Sequence, residues 1–177
     1  MYLQLILQRR YNNTMQTFLP YATKRDSLDA LDNKRLNKQI LECYQILNIL
    51  TGNSKSNAWR NHPAVLMWEG AESELYRYAM TAVVLAEMRG IKTDKNRANL
   101  NALSRSRKSL AWEDNTPIWA SSPSVIKRVN ATHKANLYRK DPIFYAEFAS
   151  SVTDPYNKPC CDKCQYYWPT HKEKNGF

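Results

Sequence analysis

Glycine is scarce, with four residues in 177. That excludes a collagen-like chain and argues against a glycine-rich nucleotide-binding fold, which needs several glycines at fixed turns. Long apolar runs are missing too; the longest are a handful of residues, far short of a bilayer span. Acids are few, 16 against 26 lysines and arginines, so the chain carries a formal +10 and a pI near 9.5. Cysteines number four (Cys43, Cys160, Cys161, Cys164), and a chain of this length can bury a core without disulfide or metal.

What is present is concentrated positive charge. Residues 91–140 hold eleven basic side chains (Lys92, Lys95, Arg97, Arg105, Arg107, Lys108, Lys127, Arg128, Lys134, Arg139, Lys140) against three acids (Asp94, Glu113, Asp114), hence +8 of the +10. Such a field favours a polyanionic partner, nucleic acid above all. The competing reading is a solvated basic surface kept for solubility. Ordinary globular proportions, 43% apolar and 24% charged, point to one compact domain rather than wholesale disorder.

Residues 1–14 place a short apolar run, Leu3 to Leu7, ahead of Arg9 and Arg10. An export signal has the opposite order and a longer run, so the expected location is the cytoplasm, with reduced thiols. Met15 opens a different register, MQTFLPY. The expected organisation is an N-terminal extension over 1–14, untranslated or disordered, a domain over 15–150 and a polar cysteine-containing tail over 151–177.

The body reads as all-α: about three long helices plus short helices and loops, with few segments of period two. Asp32 is an N-cap for a helix ending at Gly52 as C′ residue, with Leu36, Ile40, Cys43, Leu47 and Leu50 as its apolar stripe. Pro63 at N1 opens a second long helix to Gly90, whose apolar side holds Val65, Trp68, Leu75, Ala79, Ala82, Leu85 and Met88. A shorter helix is expected over 94–104 and a loop over 105–121. Ser122 and Pro123 open another helix, through Val125, Val129 and Leu137, that stops before Pro142. Pro142 then begins a last short helix carrying Phe144, Tyr145 and Phe148.

On the first long helix Arg35, Lys38, Gln39 and Glu42 share a second face, since positions three, four and seven back from Glu42 lie over it. Spacing alone favours an i,i+4 surface pair between Lys38 and Glu42. The alternative is a catalytic carboxylate in a phosphate-lined groove. Aromatic residues beside basic ones (Trp59-Arg60, Tyr76-Arg77-Tyr78, Tyr138-Arg139) are candidates to stack extruded bases, although most aromatics serve the core. His62 and His133 read as structural or phosphate-contacting rather than metal-ligating. Cys160, Cys161, Cys164 and His171 number enough for a zinc site, but free thiols on a polar tail are the favoured reading.

Four stretches in this order resemble one family. They are Met15–Tyr21 (MQTFLPY), Leu31–Gln39 (LDNKRLNKQ) with Glu42, Trp59–Val65 (WRNHPAV) with Met67-Trp68, and Thr132–Leu137 (THKANL) with Arg139–Pro142 (RKDP). Together they are similar to the pyrimidine dimer DNA glycosylases, the family of phage endonuclease V, in its bacterial and phage branch. The resemblance runs from Met15 to about Phe148.

It implies a small all-α repair enzyme with no cofactor, cutting the glycosidic bond at a UV-induced pyrimidine dimer in double-stranded DNA. As an AP lyase and endonuclease, it would then nick the strand by β-elimination. The family attacks the sugar C1′ with an N-terminal α-amine to give an imine, and one glutamate moves protons; helix register makes that glutamate Glu42. An α-amine has a reference pKa near 7.7–8, about two units below lysine, so a useful fraction is nucleophilic at neutral pH. The implied catalytic residues are Glu42, Met15 and Gln16. Arg35, Lys38, Gln39, Arg60, His62, His133, Lys134, Asn136, Arg139 and Lys140 are the implied DNA contacts. Because the bulky Gln16 follows Met15 and blocks removal of an initiator methionine, the amine is either that of a chain starting at Met15 or Lys38. A monomer suffices for a kinked-duplex reader of this size. The competing functions are a non-catalytic DNA-binding protein on the same scaffold and a glycosylase for another damaged or modified pyrimidine.

Overall fold

The computed structural model describes residues 15–54, 58–107, 110, 113–153 and 167–170. Residues 1–14 and tail residues Cys160, Cys161, Cys164 and His171 lie outside that set. Every regular element among the described residues is helical. An extended entry over 15–20 leads into α1 (Lys24–Asp29), α2 (Asn33–Leu50), α3 (Pro63–Leu66), α4 (Glu72–Met88), α5 (Asp94–Ser106) and α6 (Pro123–Lys140). Short 3-10 segments occupy Ile118–Ser121 and Ala146–Thr153.

The helix ends follow local chemistry. The Asp32 carboxylate accepts from the Arg35 N–H at 3.0 Å, satisfying one donor that the first turn of α2 leaves open. Thr23 does the same for α1, and the His62 ring nitrogen accepts from the Ala64 N–H ahead of Pro63 in α3. Gly52 and Gly90 take positive φ just past α2 and α4, as C′ residues do.

The core forms where α2 lies along α4, with α5 packed against both and α1 on α4. Leu36, Ile40, Cys43, Ile46 and Leu47 of α2 are fully buried against Leu75, Tyr78, Ala79, Ala82 and Val83 of α4. Each such leucine contributes about 1.5–3 kcal/mol of burial free energy. The alanines on α4 let the two helices approach closely. Leu50, expected in the stripe, is only half-buried because it sits in the last turn.

Four expectations need correction. The run from Pro63 to Gly90 is two helices, broken at residues 67–71 where Gly70 has φ +78°. Periodicity alone reads through one glycine, but this backbone turn requires it. The break swings Trp68 inward so that its indole N–H donates to the Thr17 hydroxyl at 3.0 Å. Met88, expected on the apolar side, is 72% exposed because the helix ends there. Further on, Ile118–Ser121 is a 3-10 turn within the expected loop. Residues 142–145 form turns, and the regular segment begins only at Ala146. Tyr145 and Phe148 face inward while Phe144 does not.

Candidate functional site

The shared face of α2 becomes a site because the extended entry lies across it. Segment 15–19 has no strand partner, so side chains from three helices take its backbone groups. The Gln39 amide carbonyl accepts from the Phe18 N–H at 2.8 Å, and its NH2 donates to the Gln16 carbonyl at 2.9 Å. From α4, the Tyr78 hydroxyl donates to the Phe18 carbonyl at 2.7 Å and lies 2.9 Å from Gln39 Oε1. From α6, His133 Nδ1 accepts from the Leu19 N–H at 2.8 Å.

Glu42 sits at the meeting point of α2 and this entry. It is 4% exposed, although it carries a carboxylate. Gln39 Nε2 donates to its Oε2 at 3.1 Å while also holding the Gln16 carbonyl, so one amide joins the acid to the entry. Lys38 Nζ lies 3.3 Å from Oε1. Burial pushes the Glu42 pKa up to about 7, against the opposing pull of Lys38, a hydrogen bond from the Gln16 backbone and the charge of Lys140. Desolvation outweighs the attraction, so the acid is half-protonated near neutrality. A surface i,i+4 pair would not behave this way, because a solvated carboxylate stays ionised at pH 7.

A cleft of about 560 Å³ opens beside Glu42, lined among others by Met15, Lys38, Gln45, Asn48 and Trp59. Its volume is in the range of small-molecule sites. Trp59 stands at the cleft 42% exposed, its ring 5.3 Å from that of His62. Gln45 and Asn48 went unassigned from sequence, though they continue the Lys38–Glu42 face by one and two turns of α2.

Of the expected DNA contacts, the structure gathers Lys38 and Lys140 around Glu42, with the charge of Arg35 felt at Lys140. Lys140 is held down to about pKa 8 by burial and by the charges of Lys38 and Arg35, with Glu42 opposing. Arg35 pairs with Asp32, lies 3.9 Å from Asp141 and covers the Tyr145 ring at 5.2 Å. Arg60 is held by Glu69 at 2.6 Å, close in sequence to Trp59 and His62. Arg139 is exposed.

Others are placed elsewhere and are corrected. His133 is fully buried, with a pKa pushed down to about 3 by desolvation, so it is a neutral packing residue that cannot meet a phosphate. Asn136 is buried and donates to the Thr132 carbonyl within α6. Gln39 is buried and bonded inward on all sides, which makes it a holder of the entry rather than a DNA contact. The Lys134 ammonium lies over the rings of Tyr21 and Phe148. Gln16 is buried, its backbone serving the site. Tyr78, a candidate for base stacking, is sealed in the core. Among the described residues no three His, Cys, Asp or Glu side chains converge as a metal site would require, and no helix is long and apolar enough to cross a membrane.

Residues 15–99 match the family model described as pyrimidine dimer DNA glycosylase, which supports that family for the chain. The match opens at Met15 and covers the entry, α2 and the Trp59–Val65 stretch; the Thr132–Pro142 stretch lies beyond it. No curated protein and no solved structure gives a match.

Proposed function

We propose, from the match of residues 15–99 to the pyrimidine dimer DNA glycosylases and the chemistry of the Glu42 cleft, a DNA repair glycosylase with AP-lyase activity. Its substrate in this reading is duplex DNA carrying UV-induced pyrimidine dimers. The observation that supports it most is a buried carboxylate with a pKa of about 7, bonded to the chain at residue 16 and facing the cleft. An acid poised there both gives and takes protons at neutral pH.

The amine nitrogen attacks C1′ of the damaged nucleoside, and the bond from C1′ to the base nitrogen breaks with its electron pair. Transfer of an amine proton to O4′ as the C1′–O4′ bond breaks opens the sugar and yields the cationic imine, which an ionised Glu42 stabilises at close range. Removal of a C2′ proton then expels the 3′ phosphate by breaking the C3′–O bond. The reactive amine is the α-amine of an active form starting at Met15, a residue that lines the same cleft as Glu42. Lys38, 3.3 Å from Glu42, is the alternative amine. Arg35, Lys38, Arg60, Arg139 and Lys140 hold phosphates in this reading, and Trp59 offers an exposed ring to a base.

Borohydride reduction on UV-irradiated and on abasic duplex tests it. A trapped covalent adduct is expected, mapping by peptide mass to Met15 or Lys38, and Glu42→Gln should abolish strand cleavage while retaining DNA binding. Salt-sensitive binding with no adduct would leave a non-catalytic DNA-binding protein. An adduct on modified pyrimidines other than dimers would move the substrate but keep the chemistry.

A further inference from the structure

We propose that the turn over residues 142–145 is a wedge whose Ile143 and Phe144 enter a base step of the duplex beside the Glu42 cleft. The proposal rests on the reading of duplex DNA as partner, though not on any chemistry at Glu42. Ile143 is 92% exposed and Phe144 55%, two adjacent apolar side chains shown to water at the end of α6. Isolated exposed apolar residues are ordinary. A pair on a stiffened tip within a cationic frame is not.

The tip is fastened at several points. The Phe144 N–H donates to Asp141 Oδ1 at 3.1 Å, and the Tyr145 N–H donates to the Asp141 carbonyl at 3.0 Å. The Phe144 ring packs edge-on against Tyr145, centroids 4.8 Å apart. Tyr145 is fully buried; its hydroxyl donates to Asp32 Oδ2 at 2.7 Å and accepts from the Asp32 N–H at 3.0 Å. Asp32 caps α2, the helix that carries Glu42. Any force on the tip therefore reaches the start of that helix through direct bonds. From Asp32 to Glu42 the helix rises about 15 Å, or roughly four base steps.

Charge selects the occupant. Arg139 and Lys140 precede the tip, Arg35 lies 3.9 Å from Asp141, and Lys38 follows one turn on toward Glu42. A partner must offer anionic groups to this strip and an apolar slot to the tip. Duplex DNA has both, with phosphates outside and stacked base faces within, and apolar side chains entering a step bend the duplex by tens of degrees.

The test uses full-length protein, a duplex labelled at both ends for energy transfer, and a second duplex reporting unstacking by 2-aminopurine. Ile143→Ser with Phe144→Ser should remove the bend and the unstacking signal and bind the duplex roughly tenfold more weakly. The slope of log affinity against log salt should stay unchanged, since no phosphate contact is lost. An unchanged melting temperature identifies this as a surface effect, and Ile143→Val with Phe144→Leu should restore bending. Bending and affinity equal to the parent in the double serine variant would overturn the wedge. So would an effect on sedimentation alone, which would make the tip a contact between copies. Tip-dependent bending by a protein that yields no borohydride adduct would sustain the wedge and remove the lyase chemistry.

Discussion

At the scale of single residues, Glu42 carries a pH dependence of its own, which its glutamine variant isolates from that of His133 and Lys140. Its folded pKa of about 7 lies above the ordinary 4.5, so the folded state binds the proton more tightly between these values. Stability from this group is therefore present below pH 4.5 and declines as pH rises to about 7, by on the order of 3 kcal/mol. Glu42→Gln cannot ionise and escapes the decline. Thermal melts should show the variant more stable than the parent at pH 8 and matching it near pH 4; parallel profiles would mean the carboxylate is solvated. Such a gain, coupled to lost cleavage, is what a residue kept for chemistry rather than for stability should give. Sequence spacing made Glu42 a member of a polar face, and only burial distinguishes it from a surface partner of Lys38.

Among the elements, the extended entry matters more than its lack of regular structure implies. Gln39, Tyr78 and His133 come from α2, α4 and α6, and together they fix the backbone of residues 16–19 relative to Glu42. Tyr78→Phe keeps the core volume but removes the donor to the Phe18 carbonyl. It should cost about 1–3 kcal/mol in denaturant melts. It should also slow cleavage while leaving duplex affinity as it was, because no DNA-facing group changes. The same residue shows the limit of reading elements locally. In the string Tyr76-Arg77-Tyr78 both rings border an arginine, yet Tyr78 is fully buried. The division of Pro63–Gly90 into α3 and α4 was hidden for a related reason, since the periodic apolar pattern continues through Gly70 and one backbone angle breaks it.

For the molecule as a whole, the +10 charge predicts duplex binding that falls steeply with salt. Arg139, exposed at the end of α6, should count as one phosphate contact, so Arg139→Ala should reduce the slope of log affinity against log salt by about one. An unaltered slope would take Arg139 out of the interface. Net charge, the all-α class and the helix ends at Asp32, Gly52, Pro63, Gly90 and Pro123 were determined by the sequence alone. Charge is a sum over the chain, and caps, prolines and C′ glycines act within one helical turn of themselves. Tertiary structure alone decided which polar residues remain for a ligand. It enclosed His133, Asn136 and Gln39 and left Lys38 and Arg139 outside. It also brought the backbone of Gln16 onto Glu42, 26 residues away, and turned Phe144 outward while burying Tyr145. Those outcomes depend on desolvation and on hydrogen bonds between segments far apart in the chain, and no local pattern encodes either.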